Sequence, residues 1–487
     1  MKIAFAISNF DSEDANAEMT ALYLDWARIP SLLGHDVTLY TLSEKGYSED
    51  VMNGVKVVRF PFDPASFSAL NEFTFAPVLS WFLPRSIELY RQLSKSFAQS
   101  KPDIIHCIKP LDALMFGTQR ELPVVIQSVS PQFELMNLDF EKQYGEFDTS
   151  ATHSLETLGY ALADAITVPS KTLARVISEG TELPIDRIDV IAAPVQVPDE
   201  ASTSTRRSES FPHILHAAGV EKLKGVDTLI EALSIVAQKY PEVKLSIAGE
   251  EPAKIGTSQT FADGVKQLAL NKGLAAKVEF LGVRPRAEIR QRMSEADIFV
   301  FPLLYCGCPY ACMEAMAEGL PIVATHAGAI AEYVEDGKSG LLIEIESASS
   351  LAESIIKFAD NHELAGAFGQ AARERVLTMC SPQKVAELTD ALYKKAVKKF
   401  QTRNADDDAA IRNAVKHGLA AFDNLSSTPY LRRLFDEKFV EGAARSVADL
   451  HSPRIAFGRL GLAGGMAALA LKAGKALSNN GHAEDLD

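Results

Sequence analysis

Residues 296–342 read ADIFVFPLLYCGCPYACMEAMAEGLPIVATHAGAIAEYVEDGKSGLL. The apolar run Ile298 to Leu304 has the length and composition of a strand buried on both faces of a parallel sheet. A loop follows. A helix is then expected, opened by Pro309 and closed by Gly319, before Pro321 and a second apolar run, Ile322 to Ala324. Strand, helix and strand in that order form a βαβ unit. The loop and the helix N-terminus then lie at the carboxyl edge of the sheet, where open α/β sheets bind ligands. Glu314 places one carboxylate near the helix start, and the unpaired N–H groups of a first turn suit an anion such as phosphate.

The same alternation runs along most of the chain. On the amino-terminal side, KIAFAIS, VTLYTLS, VKVVRFPF, DIIHCI, LPVVIQS, DAITVPS and IDVIAAP read as strands. Helical text stands at Ala17 to Leu33 and near Ile87 to Phe97. Between Pro194 and Pro212 lies VQVPDEASTSTRRSESF, rich in Ser, Thr and charge, and it places an interdomain linker at 196–212. Alternation then restarts with HILHAAG, a helix from Val226 to Tyr240, VKLSIAG, a helix around Gly264 to Asn271, KVEFLG and a helix near Glu288 to Ala296. Two doubly wound α/β domains facing a cleft are the expected architecture. We divide the chain into 1–195, the linker 196–212, 213–381, a crossover helix at 382–400 and a helical extension at 401–487.

Several residues in the second domain stand at strand ends. Gly219-Val220-Glu221-Lys222-Leu223-Lys224-Gly225 follows its first strand, and Gly282-Val283-Arg284 follows VEFL. Pro302, Cys306, Gly307, Glu314-Ala315-Met316-Ala317, Gly319 and Pro321-Ile322 complete the opening segment. This pattern resembles the nucleotide-sugar site of retaining glycosyltransferases of the GT-B fold, family 4. The resemblance implies that Lys224 and Gly225 hold the donor diphosphate and that the turn from Gly282 offers backbone to the nucleotide base, with Arg284 either a spare cation at that edge or part of a solvated loop. It implies that Glu314 accepts hydrogen bonds from ribose hydroxyls, with Cys306 and Gly307 at the donor hexose. The family's first glutamate is replaced by Cys306, and the arginine of its diphosphate loop is missing, with Val220 or Glu221 nearest in register. Lys222 is a substitute cation, and Arg286 a spare one near the same edge.

The first domain keeps the architecture and lacks the landmarks. Asp14-Ala15-Asn16-Ala17-Glu18 stands where the family has a Gly-Gly pair. Gln127, Ser128 and Ser130 stand where it has a histidine. His106, at the end of DIIHC, reads as a core residue or as one facing the cleft.

The resemblance implies transfer of a hexosyl unit from a UDP-, GDP- or ADP-hexose to a hydroxyl acceptor with retention. The nucleotide sugar is a co-substrate, and no separate cofactor or metal is expected. No catalytic acid–base pair is named, because alignment and stabilisation of the leaving diphosphate supply most of the effect. The alternative is a GT-B protein that has lost turnover and serves as a scaffold or partner subunit. A dehydrogenase fails on the absence of G-x-G-x-x-G after the first strand, and a glycoside hydrolase finds no support, since nothing in this plan offers paired carboxylates.

Bulk properties fit a cytoplasmic protein of two domains and a tail. The 487 residues are 47% hydrophobic and 23% charged, with net charge −15, which argues against nucleic acid as a partner. Five cysteines do not make a disulfide framework, and Cys306, Cys308 and Cys312 lack a usual zinc spacing. MKIAFAISNFDSED is too briefly apolar for a signal peptide, and no run reaches the roughly 18 apolar residues of a membrane span. The helix at 452–478, basic and free of acidic residues, reads either as a surface for peripheral membrane or protein docking or as a helix packed on the protein itself.

Overall fold

The computed structural model describes residues 1–10, 18–67, 77–119, 121–138, 145–196, 211–251 and 260–402. The expected linker falls almost wholly outside these, as do the 11–17 turn and, past Thr402, the helical extension with its 452–478 helix.

The first sheet has eight strands: β1 (Lys2–Ala6), β2 (Asp36–Ser43), β3 (Ser48–Met52), β4 (Val55–Pro61), β5 (Ile104–Cys107), β6 (Val124–Gln127), β7 (Ala165–Val168) and β8 (Ile188–Val190). Their order is β3-β4-β2-β1-β5-β6-β7-β8. All pair in parallel except β3, which turns back antiparallel on β4. Helices α1 (Glu18–Arg28), α2 (Pro77–Phe97), α3 (Pro110–Gln119), α4 (Gln132–Asn137), α5 (Glu146–Leu162) and α6 (Lys171–Thr181) accompany it. The helical text at 17–33 is thus split: α1 ends at Arg28, and Pro30 lies in a following 3-10 turn, Ile29–Leu33, closed by Gly34 at φ 78°.

The second sheet has six strands: β9 (His213–Ala217), β10 (Lys244–Ala248), β11 (Val278–Gly282), β12 (Ile298–Phe301), β13 (Ile322–Thr325) and β14 (Leu341–Ile343). They are ordered β11-β10-β9-β12-β13-β14 and all parallel. Its helices are α7 (Val226–Lys239), α8 (Phe261–Asn271), α9 (Arg286–Glu295), α10 (Tyr310–Ala317), α11 (Ile330–Tyr333), α12 (Ala348–Asp360), α13 (His362–Cys380) and α14 (Pro382–Thr402). Every residue of β12 and β13 is buried. That burial explains continuous apolar runs rather than alternation, since helices cover both faces. Helix starts follow local chemistry. Thr260 and Asp263 form a capping box on α8, and the Ser170 hydroxyl accepts from Leu173 N on α6.

In each sheet the first strand lies inside and the chain winds outward to one edge before crossing to its other side. The crossings leave a switch point between β1 and β5 in the first sheet, and between β9 and β12 in the second. Helix α14 returns to the first sheet, where Tyr393 is hydrogen-bonded through its hydroxyl to His106 Nδ1 at 2.8 Å. Among the described residues, no helix is long and apolar enough to cross a membrane.

Candidate functional site

The loops after β9 and β12 meet at the second switch point. Lys222–Lys224 make one 3-10 turn, and Gly225 ends it at φ 65°. A Cβ on Gly225 would lie 2.0 Å from the Pro302 carbonyl oxygen, so only glycine allows this approach. Leu304 N donates to Leu223 O at 2.9 Å, joining the two loops. The turn at Gly249 packs beneath them, where a Cβ would lie 2.2 Å from Ala218 O.

Lys224 is half-buried, and among the described residues no carboxylate pairs with it. It acts electrostatically on His216, a fully buried β9 side chain whose Nδ1–H donates to Val300 O at 3.0 Å. Burial, with Lys224 adding to it, pushes the His216 pKa down to about 4. Lys222, the expected substitute cation, is already paired with carboxylates. Its Nζ is held 2.8 Å from both Asp227 and Glu346, which fixes the turn instead.

Glu314 sits midway along α10 and is 8% exposed. Its Oε1 accepts Arg286 Nε at 2.7 Å. Burial raises its pKa, and Arg286 opposes the rise. Arg286, from the start of α9, is therefore not a spare cation. Its Nη1 donates to Asp25 Oδ2 and its Nη2 to the Tyr310 hydroxyl, each at 2.6 Å. Tyr310 in turn donates to Asp25 Oδ2 at 2.6 Å. Asp25 Oδ1 accepts Gln196 Nε2 at 3.0 Å, and Gln196 Oε1 accepts Arg290 Nη2 at 3.2 Å. Burial works against the Arg286 charge, but Glu314, Tyr310 and Asp25 outweigh it and raise its pKa.

The remaining expected site residues occupy the same sheet edge or its rim. Gly282 turns at φ 67° and its carbonyl accepts Gly249 N at 3.0 Å. Arg284 is half-buried and lies 3.4 Å from Glu288 on the adjoining helix, an ion pair of small energetic weight. The Cys306 carbonyl accepts Ala329 N at 2.7 Å. Gly307 meets the first domain: its carbonyl accepts the Ser170 hydroxyl at 2.9 Å. Cys306, Cys308 and Cys312 are in no disulfide. Burial raises the Cys312 pKa, which keeps it a neutral core thiol.

A second interdomain contact lies nearby. The Glu332 carboxylate accepts Lys171 N at 2.8 Å and Thr172 N at 2.7 Å, capping α6 from the opposite domain. A carboxylate there satisfies orphan N–H groups and complements the helix dipole. On the first sheet's edge, Gln127 is buried with its Nε2 unpartnered among the described residues, and Ser128 is hydrogen-bonded to Tyr160 at 2.7 Å. His106 belongs to the core side, tied to Tyr393 and pushed down to about 3 by burial.

Sequence reading missed Asp25, Tyr310 and the pairing role of Arg286. One signal was present: Asp25 interrupts the apolar stripe of Leu22, Tyr23, Trp26 and Ala27, where a carboxylate is rarely buried unless paired.

Two Rossmann-like sheets, a crossover helix and a loop-built crevice at the second switch point define a protein of the GT-B type. The family model described as Glycosyl transferases group 1 matches residues 199–375, and that of a Glycosyl transferase 4-like domain matches 25–194. The chain belongs to the group 1 glycosyltransferases. It is 30% identical over 202 residues to the amylovoran biosynthesis glycosyltransferase AmsK of Erwinia amylovora, covering 40% of this chain and 47% of that protein. It is 24% identical over 380 residues to glycogen synthase of Mycobacterium tuberculosis, covering 74% and 86%. The fold is similar to that of sucrose-phosphate synthase from Thermosynechococcus elongatus, with TM-score 0.66, 18% identity and coverage of 81% and 99%. It is also similar to Anabaena Alr3699/HepE in complex with UDP, with TM-score 0.60, 16% identity and coverage of 81% and 100%.

Proposed function

We propose that the protein transfers a hexosyl unit from a nucleotide sugar to a hydroxyl acceptor, with retention at the anomeric carbon. The observation that carries this reading is that Lys224, in the loop after β9, and Glu314, on the helix after β12, belong to the two elements that flank one switch point. A cation without a carboxylate partner among the described residues stands after β9, and a buried carboxylate stands on the helix after β12. A diphosphate takes the cation, and a ribose diol takes the carboxylate. That HepE is solved with UDP supports a nucleoside diphosphate as the leaving group. Lys224 would stabilise charge developing on the departing diphosphate, and closing the cleft would align acceptor with donor. Gly282 and Arg284 would flank the base, with Cys306 and Gly307 beside the hexose.

The scaffold reading draws on Cys306, a weak hydrogen-bond partner where a carboxylate would grip the sugar. One experiment separates the two. Titration calorimetry with UDP, GDP and ADP is run on wild type, Lys224→Ala and Glu314→Ala, beside release of nucleoside diphosphate from the matching hexose conjugates. We expect base-selective binding, weakened at least about tenfold in each variant, since a lost charge-assisted hydrogen bond is worth about 1.5–3 kcal/mol. Binding without consumption of any conjugate favours the scaffold. Absence of binding in folded wild type refutes the donor site itself.

A further inference from the structure

Glu314 offers two carboxylate oxygens, and the structure occupies only one. Oε1 is taken by Arg286 Nε, while no described residue hydrogen-bonds Oε2. The donor beside Nε on the guanidinium edge, Nη2, is taken by the Tyr310 hydroxyl, which itself donates to Asp25 Oδ2. Arginine's fork favours bidentate pairing with a single carboxylate. Here the fork is divided three ways, among Glu314, Asp25 and Tyr310. Asp25 belongs to α1 of the first domain and is 2% exposed. It also holds Gln196, where the chain leaves the first domain, and through it Arg290 of α9.

Resting on the donor site proposed above, we infer that Asp25 is a positioning residue for ribose recognition, acting on Glu314 through Arg286 from the opposite domain. With the Asp25 carboxylate holding Nη1 and the Tyr310 hydroxyl, Arg286 stays at a one-point contact, and Oε2 of Glu314 is left to accept one ribose hydroxyl. Replacing Asp25 by asparagine removes the carboxylate that holds both Nη1 and the Tyr310 hydroxyl, and Nη2 then joins Nε on the two oxygens of Glu314. The ribose contact is lost while the diphosphate contact at Lys224 persists. Because the chain Gln196–Asp25–Arg286–Glu314 bridges the domains, the ribose contact also depends on the domains being closed.

The test measures affinity for whichever of UDP, GDP and ADP binds best, against its 2′-deoxy and 3′-deoxy forms. Wild type, Asp25→Asn, Tyr310→Phe and Glu314→Ala are compared, each with its unfolding midpoint. We expect wild type to prefer the ribonucleotide over one of the two deoxy forms by about tenfold, equivalent to about 1.4 kcal/mol. Asp25→Asn should reduce that ratio to near one while still binding the deoxy form with wild-type affinity. Tyr310→Phe, which removes one bond to Asp25 and one to Arg286, should reduce it partway. A purely structural role for Asp25 would weaken ribo and deoxy forms together. An undiminished ratio in folded Asp25→Asn, with the ratio lost in Glu314→Ala, overturns the role of Asp25 and leaves the donor site standing. If Asp25→Asn does not fold, an undiminished ratio in Tyr310→Phe overturns it. An undiminished ratio and affinity in Glu314→Ala overturns both this inference and the donor-site reading.

Discussion

At the scale of the residue, His216 shows what burial without a full set of partners does. Its Nδ1–H is committed to Val300 O, its Nε2 is buried with no partner among the described residues, and the Lys224 ammonium adds repulsion to any proton arriving there. The ring is held neutral, with a folded pKa of about 4 against an ordinary 6.5. Above pH 6.5 the ring is neutral in both folded and unfolded chains and contributes nothing to pH dependence. As pH falls below 6.5 the unfolded chain takes up a proton that the folded one refuses, so stability is lost progressively down to about pH 4. The full loss is about 3 kcal/mol, because each pH unit between the two values is worth about 1.36 kcal/mol. His216→Gln should flatten the urea-midpoint profile between pH 6.5 and 4 by up to one proton relative to wild type. A profile as steep as wild type would show that His216 is not the proton acceptor. The same scale explains Lys222. Its spacing beside Lys224 suits a ligand, but one of the two carboxylates that neutralise it lies 124 residues away.

At the scale of the element, legibility tracked burial. Strands β12 and β13, closed on both faces, appear as uninterrupted apolar runs bounded by Pro and Gly, and the loops between them carried the motif residues. Strand β3 left no such mark. Its residues Ser48, Glu49, Asp50 and Val51 are exposed on a sheet edge, so nothing imposed an apolar pattern. The cluster of Asp25, Arg286 and Tyr310 was illegible for a different reason. Asp25 and Tyr310 are 285 residues apart, and local spacing has no access to a contact made only when two domains close. Two glycines sharpen the element argument by opposite signs. Gly225 has φ 65° and no room for a Cβ beside Pro302 O. Gly225→Ala should destabilise by at least about 2 kcal/mol through left-handed strain and the clash. It should also weaken nucleotide binding, because Lys224 moves with the turn. Gly264 lies within α8 on an ordinary helical backbone, and a Cβ there would meet nothing within 4 Å. Gly264→Ala should stabilise by about 0.5–1 kcal/mol. Urea midpoints of the two variants check both, and equal signs would contradict the conformational account.

At the scale of the whole molecule, the two sheets are not independent bodies joined by a tether. One apolar cluster runs from Ile3 and Phe5 of the first sheet through Phe299 and Phe301 of the second and on to Val385, Leu392 and Tyr393 of α14. Helix α14 fastens the arrangement at its polar positions too: His35 Nε2 lies 3.1 Å from Asp390, and Lys395 Nζ lies 2.7 Å from Asp189. Tyr393 is the centre of this contact, fully buried, its hydroxyl on His106 and its ring edge-on to both His106 and His35. Truncating such a side chain costs about 3–5 kcal/mol, and here the loss falls on the surface through which the domains share stability. The chain has only two tryptophans, Trp26 in α1 and Trp81 in α2, so indole fluorescence follows the first domain while far-ultraviolet circular dichroism follows both. In wild type the two probes should report one coincident unfolding transition. In Tyr393→Ala the fluorescence transition should move to lower denaturant and separate from the dichroism. Tyr393→Phe, which keeps the ring and loses one hydrogen bond, should weaken both transitions together by about 1 kcal/mol. Coincident transitions in Tyr393→Ala would mean that the continuity of the core rests on the interdomain contacts of Glu332 and Asp25 rather than on the crossover helix.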